Sequence, residues 1–466
     1  MKKFWVVLLS LGLIVAFGAT ASAADVKFGG SYYVVGVYES NPQLTPDDVR
    51  DGRAHYSRAF FYQRVRLQPV FQIAEGLTFT ARMDALEKQW GNTNWKSIAA
   101  PGDDTTSSRR VSAGNQKIQE SFEFERAYVT FMTRIGMFQV GYQNVDDWGT
   151  DYSDFSNTRP RVAYVTKAGP VEIAFTYEKV FENDTFTNAP SFATDRDNDT
   201  YALSGTYKGK GMEAGLLYKY YVYNANRPAG IKTTMNQISP YAKATFGPVY
   251  IEGEFQYWFG KAAAYELPLA PLPQDQDLKA WGAYLKGRFN FGPAYAGALF
   301  AYASGDDLSD PTKATTKPGG MGPNFAPALI LGNDALNTWE NGTGVAAPIN
   351  AIVSTEKRNM IVYNAFIGAN PTPKLNVELA LTYATVDKTA LARNAVTGVV
   401  TEADSNKLGT ELDVKATYKI YDNLSYMVGA GYLWAGDYFR GNTPVGAVPR
   451  TIDNDYILLN QLTLAF

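Results

Sequence analysis

Three alternating aspartates, Asp195, Asp197 and Asp199, form the pattern in this chain that most resembles a metal site. Carboxylates at this spacing begin calcium-binding loops, and such a loop also needs a glycine at its sixth position and a glutamate at its twelfth. The corresponding residues here are Thr200 and Thr206. The pattern therefore favours a solvated acidic segment, with calcium binding as the weaker interpretation.

The residue types needed for catalysis are scarce in the chain. Its 466 residues include one histidine, His55, and no cysteine. A hydrolase triad needs a positioned imidazole, and covalently bound haem needs a C-x-x-C-H motif, which a chain without cysteine cannot supply. We therefore predict neither catalytic residues nor a cofactor, and we expect His55 to be a solvated loop residue.

Charged side chains at alternate positions of apolar segments are the other chemically notable group. The basic members are Arg64, Arg66, Arg82 and Arg126, and the acidic members are Glu172, Glu178, Glu252 and Glu254. Such groups attract or repel ions when they lie together on one surface. Whether these charged side chains lie on one surface depends on the secondary structure of their segments.

The alternation indicates β-strands with one apolar and one polar face. In segment 171–178 the odd positions are Val, Ile, Phe and Tyr, and the even positions include two glutamates. Successive side chains of a strand point to opposite faces, so the charged residues lie on one side and the apolar residues on the other. Similar segments recur along the chain, and counting them predicts about 18 strands.

Connections between the predicted strands alternate in length. Short turns rich in Gly, Pro and Asn, such as 246–248 and 290–293, alternate with long polar segments, the longest of which is 305–357. Short periplasmic turns and long extracellular loops are typical of transmembrane barrels, whose closed sheet satisfies every backbone group in lipid. We therefore predict an all-β fold, a transmembrane antiparallel up-and-down β-barrel.

The two ends of the chain fit this fold. Residues 1–23 combine a basic start, an apolar run and an Ala-Ser-Ala site, which predicts a secretory signal peptide cleaved after Ala23. Residues 24–466 then form a single barrel domain. The chain ends in DYILLNQLTLAF, where alternate residues are mostly apolar up to Phe466. We expect this last strand to pair with the first, around 26–38, and so to leave no free sheet edge.

The chain resembles the Gram-negative outer-membrane porins. The resemblance rests on Phe466 with its alternating apolar partners, on segment 409–418 followed by Tyr421-Asp-Asn, and on segment 428–432, Val-Gly-Ala-Gly-Tyr. A barrel of about 18 strands is similar to the sugar-specific and alginate-type channels rather than the general porins. The resemblance implies a location in the bacterial outer membrane, and it implies that Phe466 is an assembly signal read by the barrel-insertion machinery.

The predicted function is that of a porin, a passive diffusion channel for small hydrophilic solutes and ions. Strand phase places the four arginines and four glutamates named above on the pore-lining face. Candidate partners are outer-membrane lipid and lipopolysaccharide, the barrel-assembly machinery, the solutes and the other copies of a homotrimer. The net charge of −3 and the lack of a basic block argue against nucleic acid. The alternatives are a barrel that sheathes an electron-transfer cytochrome or another partner and, with less support, an outer-membrane enzyme.

The position of a constriction is a separate question. Porins usually narrow the pore with an infolded third external loop, but the third external segment here, 147–160, is short. The long segment 305–357 is the better candidate, and we expect it to fold over or into the mouth.

Overall fold

The structure, a computed structural model, describes residues 25–44, 46, 57–90, 122–183, 195–266, 274–333, 357–394, 396–441 and 451–466. The predicted signal peptide, His55 and residues 334–356 of the long external segment lie outside the described residues.

Strands and three single turns of 3-10 helix make up the regular structure of the described residues. The strands are β1 (Asp25–Glu39), β2 (Arg58–Ala74), β3 (Leu77–Gln89), β4 (Phe122–Thr133), β5 (Gly136–Val145), β6 (Asn157–Ala168), β7 (Val171–Phe181), β8 (Asn198–Gly209), β9 (Met212–Tyr223), β10 (Ile231–Phe246), β11 (Val249–Tyr265), β12 (Gln276–Phe291), β13 (Ala294–Ala303), β14 (Lys313–Ala314), β15 (Met360–Thr372), β16 (Leu375–Val386), β17 (Ala390–Arg393), β18 (Val400–Glu402), β19 (Lys407–Tyr421), β20 (Leu424–Ala435) and β21 (Asp455–Ala465). The 3-10 turns are Asp151–Ser153, Arg227–Ala229 and Asp437–Arg440.

The sheet is a closed antiparallel barrel. β14 adds a two-residue parallel pairing to β12, and β17 pairs with β18 in a separate small sheet. Without these three, 18 of the 21 strands in the described part of the chain remain, and each pairs with its neighbours in chain order. The predicted all-β barrel of about 18 strands is confirmed.

The first and last strands close the barrel. β1 pairs antiparallel with β21 from Ser31 opposite Ala465 to Glu39 opposite Ile457. The pairing continues to the end of the chain, because the Phe466 N–H donates to the Gly30 carbonyl at 3.0 Å and the Gly30 N–H donates to the Phe466 carbonyl at 2.8 Å. The expected pairing of the last strand with the first is confirmed, and the closed sheet leaves no free edge there.

Side chains alternate between the outer and inner faces of the barrel. Phe175, Leu379 and Val414 point outward and are 49%, 45% and 44% exposed, whereas Ala380, next to Leu379, points inward and is 6% exposed. Tight turns join strands at one end, and Gly247 in the turn between β10 and β11 has a φ of 57°, a conformation that favours glycine. Among the described residues, no helix is both long and apolar enough to cross a membrane.

Two connecting segments enter the barrel: the short inner segment, residues 146–156 between β5 and β6, and the long inner segment, residues 305–333 after β13. The first part of the long inner segment pairs with β12 through β14, and its residues from Lys317 onward pack inside the barrel. The short inner segment is fixed to the far wall. The Thr150 N–H and hydroxyl donate to the Glu254 carboxylate at 2.8 and 2.9 Å. The fully buried Tyr152 stacks on Tyr284 with ring centroids 5.7 Å apart and donates to the Tyr302 carbonyl.

The long inner segment fills the opposite part of the interior. The N–H groups of Ile330 and Leu331 each donate at 2.7 Å to one oxygen of the Glu411 carboxylate on β19. Asn364 on β15 donates to the Pro327 carbonyl at 3.2 Å. Apolar residues of this segment form one buried cluster with the inner faces of the first and last strands. They are Met321, Phe325, Ala328, Leu329, Ile330 and Leu331.

The two inner segments also contact each other. The Gly322 N–H donates to the Tyr152 carbonyl at 2.8 Å, and Asn324 donates to the Ser156 hydroxyl at 3.1 Å. Segment 147–160 was judged too short to enter the barrel. The connection in fact runs from residue 146 to residue 156, because β6 begins at Asn157, and these 11 residues are enough to reach the interior. Residues 146–156 fold inward together with residues 317–333.

Candidate pore lining

Arginines on four of the five consecutive strands β2–β6 form what we call the arginine wall. They are Arg64 and Arg66 on β2, Arg82 on β3, Arg126 on β4, and Arg159 and Arg161 on β6. Strand phase places each of them on the inner face. Arg66 makes a bidentate pair with Asp84, with both N–O distances 2.7 Å, and Arg64 lies 3.8 Å from the same carboxylate. The side chains of Arg64 and Arg66 remain 22% and 24% exposed, so they are reachable from the lumen.

Arg82 and Arg126 lie directly opposite each other on β3 and β4. Residues in this relation have side chains on one face, and like charges there repel. Arg82 pairs with Glu125 at 3.0 Å, whereas Arg126 donates to the neutral Asn144 side chain at 2.7 Å. Arg126 is therefore a cation of the arginine wall whose hydrogen-bond partner, Asn144, carries no charge.

Asn144 joins a second arginine to this arrangement. Its backbone carbonyl accepts from Arg161 at 3.0 Å, so Arg126 and Arg161 share one residue. Within the described ranges, neither arginine has a carboxylate within ion-pair distance. The buried Nε groups of Arg64, Arg82, Arg126 and Arg161 also lack an acceptor in the described part of the chain. These Nε groups are buried, so a solute anion would meet the exposed parts of the guanidinium groups instead, where a planar carboxylate fits in a bidentate way.

The four predicted acidic residues have different surroundings. Glu178, Glu252 and Glu254 point inward, as strand phase predicts, but they are only 3%, 6% and 4% exposed. Glu254 binds the short inner segment, and Glu252 accepts from Tyr284 at 2.8 Å. These three carboxylates are bonded to other interior groups of the protein. Glu172, opposite Lys167 on β6, is exposed.

A buried charge cluster fixes the start of the short inner segment. Lys219 donates to Asp146 at 2.7 Å and to Glu178 at 2.8 Å, and Arg159 pairs with Asp146 at 2.7 Å. Burial alone would raise the pKa of Asp146, but Lys219 and Arg159 lower it to about 2. The carboxylate is therefore ionised at neutral pH and holds the segment against the wall.

Two arginines of the wall were missing from the sequence-based set. Arg159 lies among the first residues of β6, which begins at Asn157. Arg161 alternates with the outward Val162 and Tyr164, so strand phase carried the signal that could have identified it. Arg159 belongs to the charge cluster, where it pairs with Asp146.

The aspartates of the D-x-D-x-D run bind groups of the protein. Asp197 pairs with Lys179, Asp199 lies 3.4 Å from the same ammonium group, and Asp195 accepts from Asn224 at 3.0 Å. No group of three or more potential metal-ligating side chains occurs within the described residues.

Comparison with known proteins gives one family and a set of solved structures. The family model described as alginate export matches residues 26–452. A search of curated proteins finds no match. An anion-selective porin from Comamonas acidovorans is 11% identical with a TM-score of 0.41, covering 95% of this chain and 100% of that chain. OccK3 (OpdO) of Pseudomonas aeruginosa is 9% identical with a TM-score of 0.47, covering 94% and 96%. The outer membrane protein OmpT of Vibrio cholerae is 10% identical with a TM-score of 0.38, covering 96% and 99%.

Proposed function

The chain belongs to the alginate export family, and from this premise we propose that it is a passive outer-membrane channel for small hydrophilic solutes, with a preference for anions. Alginate is a polymer of sugar carboxylates, so acidic saccharides are the solute class that the family suggests. The observation that carries the proposal is the pair Arg126 and Arg161, two inward guanidinium groups joined by Asn144, neither with an ion-pair partner among the described residues.

The placement of the inner segments supports a path along the arginine wall. Their contacts with the barrel are mainly to β9–β13, β15, β16 and the last three strands, whereas most of the wall lies on β2–β4 and β6. A barrel of 18 strands is wide enough for an aqueous lumen beside such segments. Positive guanidinium groups along one side would guide a carboxylate without holding it at a single deep site.

The sheath and enzyme interpretations have less support. The interior beside the last strands is packed with the long inner segment, so a cytochrome in the lumen would have to displace it. A channel requires no such displacement.

Current across a planar bilayer tests the proposal. The purified barrel should conduct, and a KCl gradient should give a reversal potential on the chloride side of zero. Arg126→Gln with Arg161→Gln should move that potential toward the potassium side, because two unpaired cations are lost. Arg227→Gln with Arg393→Gln is the matched control, since both arginines lie in connections outside the barrel strands, where Arg227 pairs with Glu266 at 2.7 Å and Arg393 donates to the Leu308 carbonyl at 2.8 Å. A silent barrel that copurifies with haem would favour the sheath, and hydrolysis of lipid or peptide would favour the enzyme.

A further inference from the structure

The inner wall near the tight-turn end of the barrel carries a tyrosine that lies against the sheet. Barrel topology assigns this end to the periplasm. The ring of Tyr295 on β13 covers Gly368 on β15, where a Cβ would come within 2.2 Å of a ring carbon. The Tyr295 hydroxyl donates to the Glu378 carboxylate at 3.0 Å and accepts from the Asn376 amide at 3.1 Å. These contacts fix the ring, and the residue is only 6% exposed.

Arg288 on the neighbouring strand β12 stacks on this ring. Its guanidinium carbon lies 4.4 Å from the centroid of the Tyr295 ring. Its Nε group donates to the Asn290 side chain at 2.8 Å, and Asn290 in turn donates to the Pro248 carbonyl at 3.1 Å. The protein therefore sets both the position and the plane of the guanidinium group.

The two Nη groups of Arg288 remain available to a ligand. Strand phase turns the exposed Arg288 into the lumen, since its neighbour Phe289 faces outward and is 49% exposed. Among the described residues, no carboxylate lies within ion-pair distance of Arg288. The Glu378 carboxylate, at the hydroxyl end of the tyrosine, already pairs with Lys415 at 3.0 Å.

Neighbouring side chains keep this part of the mouth positive. Lys243 and Lys286 lie on the same inner face, opposite Glu252 from either side. Lys243 also lies opposite Glu213, which pairs with Lys208 at 3.6 Å. Four cations, the arginine included, thus face two carboxylates. An excess of one sign at a channel mouth raises the local concentration of the opposite ion.

We propose that Arg288 is the first binding point for a carboxylate of the solute at the periplasmic mouth, with Tyr295 as its platform. The inference rests on the proposed function. Arg288 lies three residues from the end of β12, whereas Arg126 and Arg161 each lie seven residues from the same end of their strands. A solute carboxylate from the periplasm therefore meets Arg288 before the arginine wall. A guanidinium fork that is already ordered loses little freedom when it binds a planar carboxylate through two N–H groups.

Block of single-channel current from each side tests the proposal. A galacturonate trimer added on the periplasmic side should interrupt the current, with an apparent affinity that falls about tenfold in Arg288→Gln, as expected for hydrogen bonds between charged groups. The frequency of interruptions by trimer from the external side should stay that of wild type. Biotin on Val396→Cys, introduced into every variant, marks the external side, because this loop position is 94% exposed.

Two further variants separate an ordered fork from diffuse charge. Arg288→Lys keeps the charge without the planar fork, so it should lose most of the affinity from the periplasmic side. Lys419 is exposed on β19 near the same end of the barrel, and Lys419→Gln should leave the affinity nearly unchanged. Equal losses in Lys419→Gln and Arg288→Gln, or full affinity in Arg288→Lys, would overturn the proposal. Heat-modifiable mobility on gels confirms that the variants are folded.

The result can be distinguished from that of the proposed function. A barrel that prefers chloride but binds the trimer equally well with and without Arg288 would overturn this inference and leave the proposed function standing. Calorimetry of the trimer with the purified barrel in detergent makes the same comparison without conduction. Equal affinities of wild type and Arg288→Gln there would overturn the inference even for a silent barrel.

Discussion

Arg126 donates through Nη2 to the side-chain oxygen of Asn144 at 2.7 Å, across the external end of β4 and β5. The contact fixes a guanidinium with a neutral group, so its charge is not cancelled locally. Arg82 lies directly opposite Arg126 and its ion pair with Glu125 reduces the repulsion between the two. A wall built in this way keeps a positive field while its side chains stay ordered.

Reversing two charges of the arginine wall should change ion selectivity. We expect Arg64→Glu with Arg82→Glu to shift the reversal potential toward cations at low salt. The shift should fade near 1 M salt, since screening shortens the range of a charge from about 10 Å at 0.1 M to about 3 Å there. Measurements of reversal potential at both salt concentrations check this, and a double variant that matches wild type at low salt would show that these arginines lie away from the narrowest part.

Glu411 should act as the anchor of the long inner segment. In Glu411→Gln one side-chain oxygen becomes an amide nitrogen, so one of the N–H groups of Ile330 and Leu331 loses its acceptor. An unmet buried donor costs about 1–3 kcal/mol. We expect the segment to detach more often, with higher and noisier single-channel conductance. Glu378→Gln is the control, because Glu378 lies on the adjacent β16 and pairs with Lys415 at 3.0 Å. Equal conductance in Glu411→Gln and wild type would mean that the segment does not narrow the path.

Lys317 should make the packing of the same segment pH-dependent. The side chain is fully buried, its ammonium group donates to the Gly320 carbonyl, and it lies 5.5 Å from the Tyr152 ring centroid. Burial lowers the pKa of Lys317 to about 7, although Glu254 acts in the opposite direction. The unfolded chain keeps this proton up to its ordinary pKa of 10.5. The folded form therefore holds fewer protons between these values.

The sign of the effect follows from this difference. Between pH 7 and pH 10, stability of the packed segment rises with pH by at most about 1.4 kcal/mol per unit, and below pH 7 the cost of burying the charge is fully present. Hydrogen exchange of residues 305–333, corrected for the intrinsic rate, should slow from pH 6 to pH 9. Lys317→Met should remove this dependence. If hydrogen exchange in Lys317→Met depends on pH as strongly as in wild type, then other titratable groups cause the pH dependence.

The sequence predicted the sheet well because the side chains of a strand in lipid have to alternate between outward apolar residues and inward residues. Leu379 and Ala380 show this, since one is outward and the other inward as the pattern requires. The interior was harder to predict. Glu411 and Glu254 point inward at the same alternate strand positions as residues that border the lumen. Only their contacts with residues 80 and 104 positions away in the sequence distinguish these two carboxylates from lumen residues. Tyr152 carried no periodic signal, because its position depends on Tyr284 and Tyr302 rather than on its neighbours in sequence.

Removal of Phe466 should impair assembly of the barrel. Its backbone makes the last two hydrogen bonds between β1 and the end of the chain, and its ring lies against Gly30, where a Cβ would approach the ring within 2.7 Å. Deletion of Phe466 therefore removes the closing contact at one rim and exposes the Gly30 backbone groups to lipid headgroups. The matched control is Val396→Ala, a loop residue that is 94% exposed. Heat-modifiable mobility of protein inserted in cells should show a smaller folded fraction for the deletion than for the control. Normal folding after removal of residues 464–466 would show that neither the terminal pairing nor the aromatic end is needed for insertion.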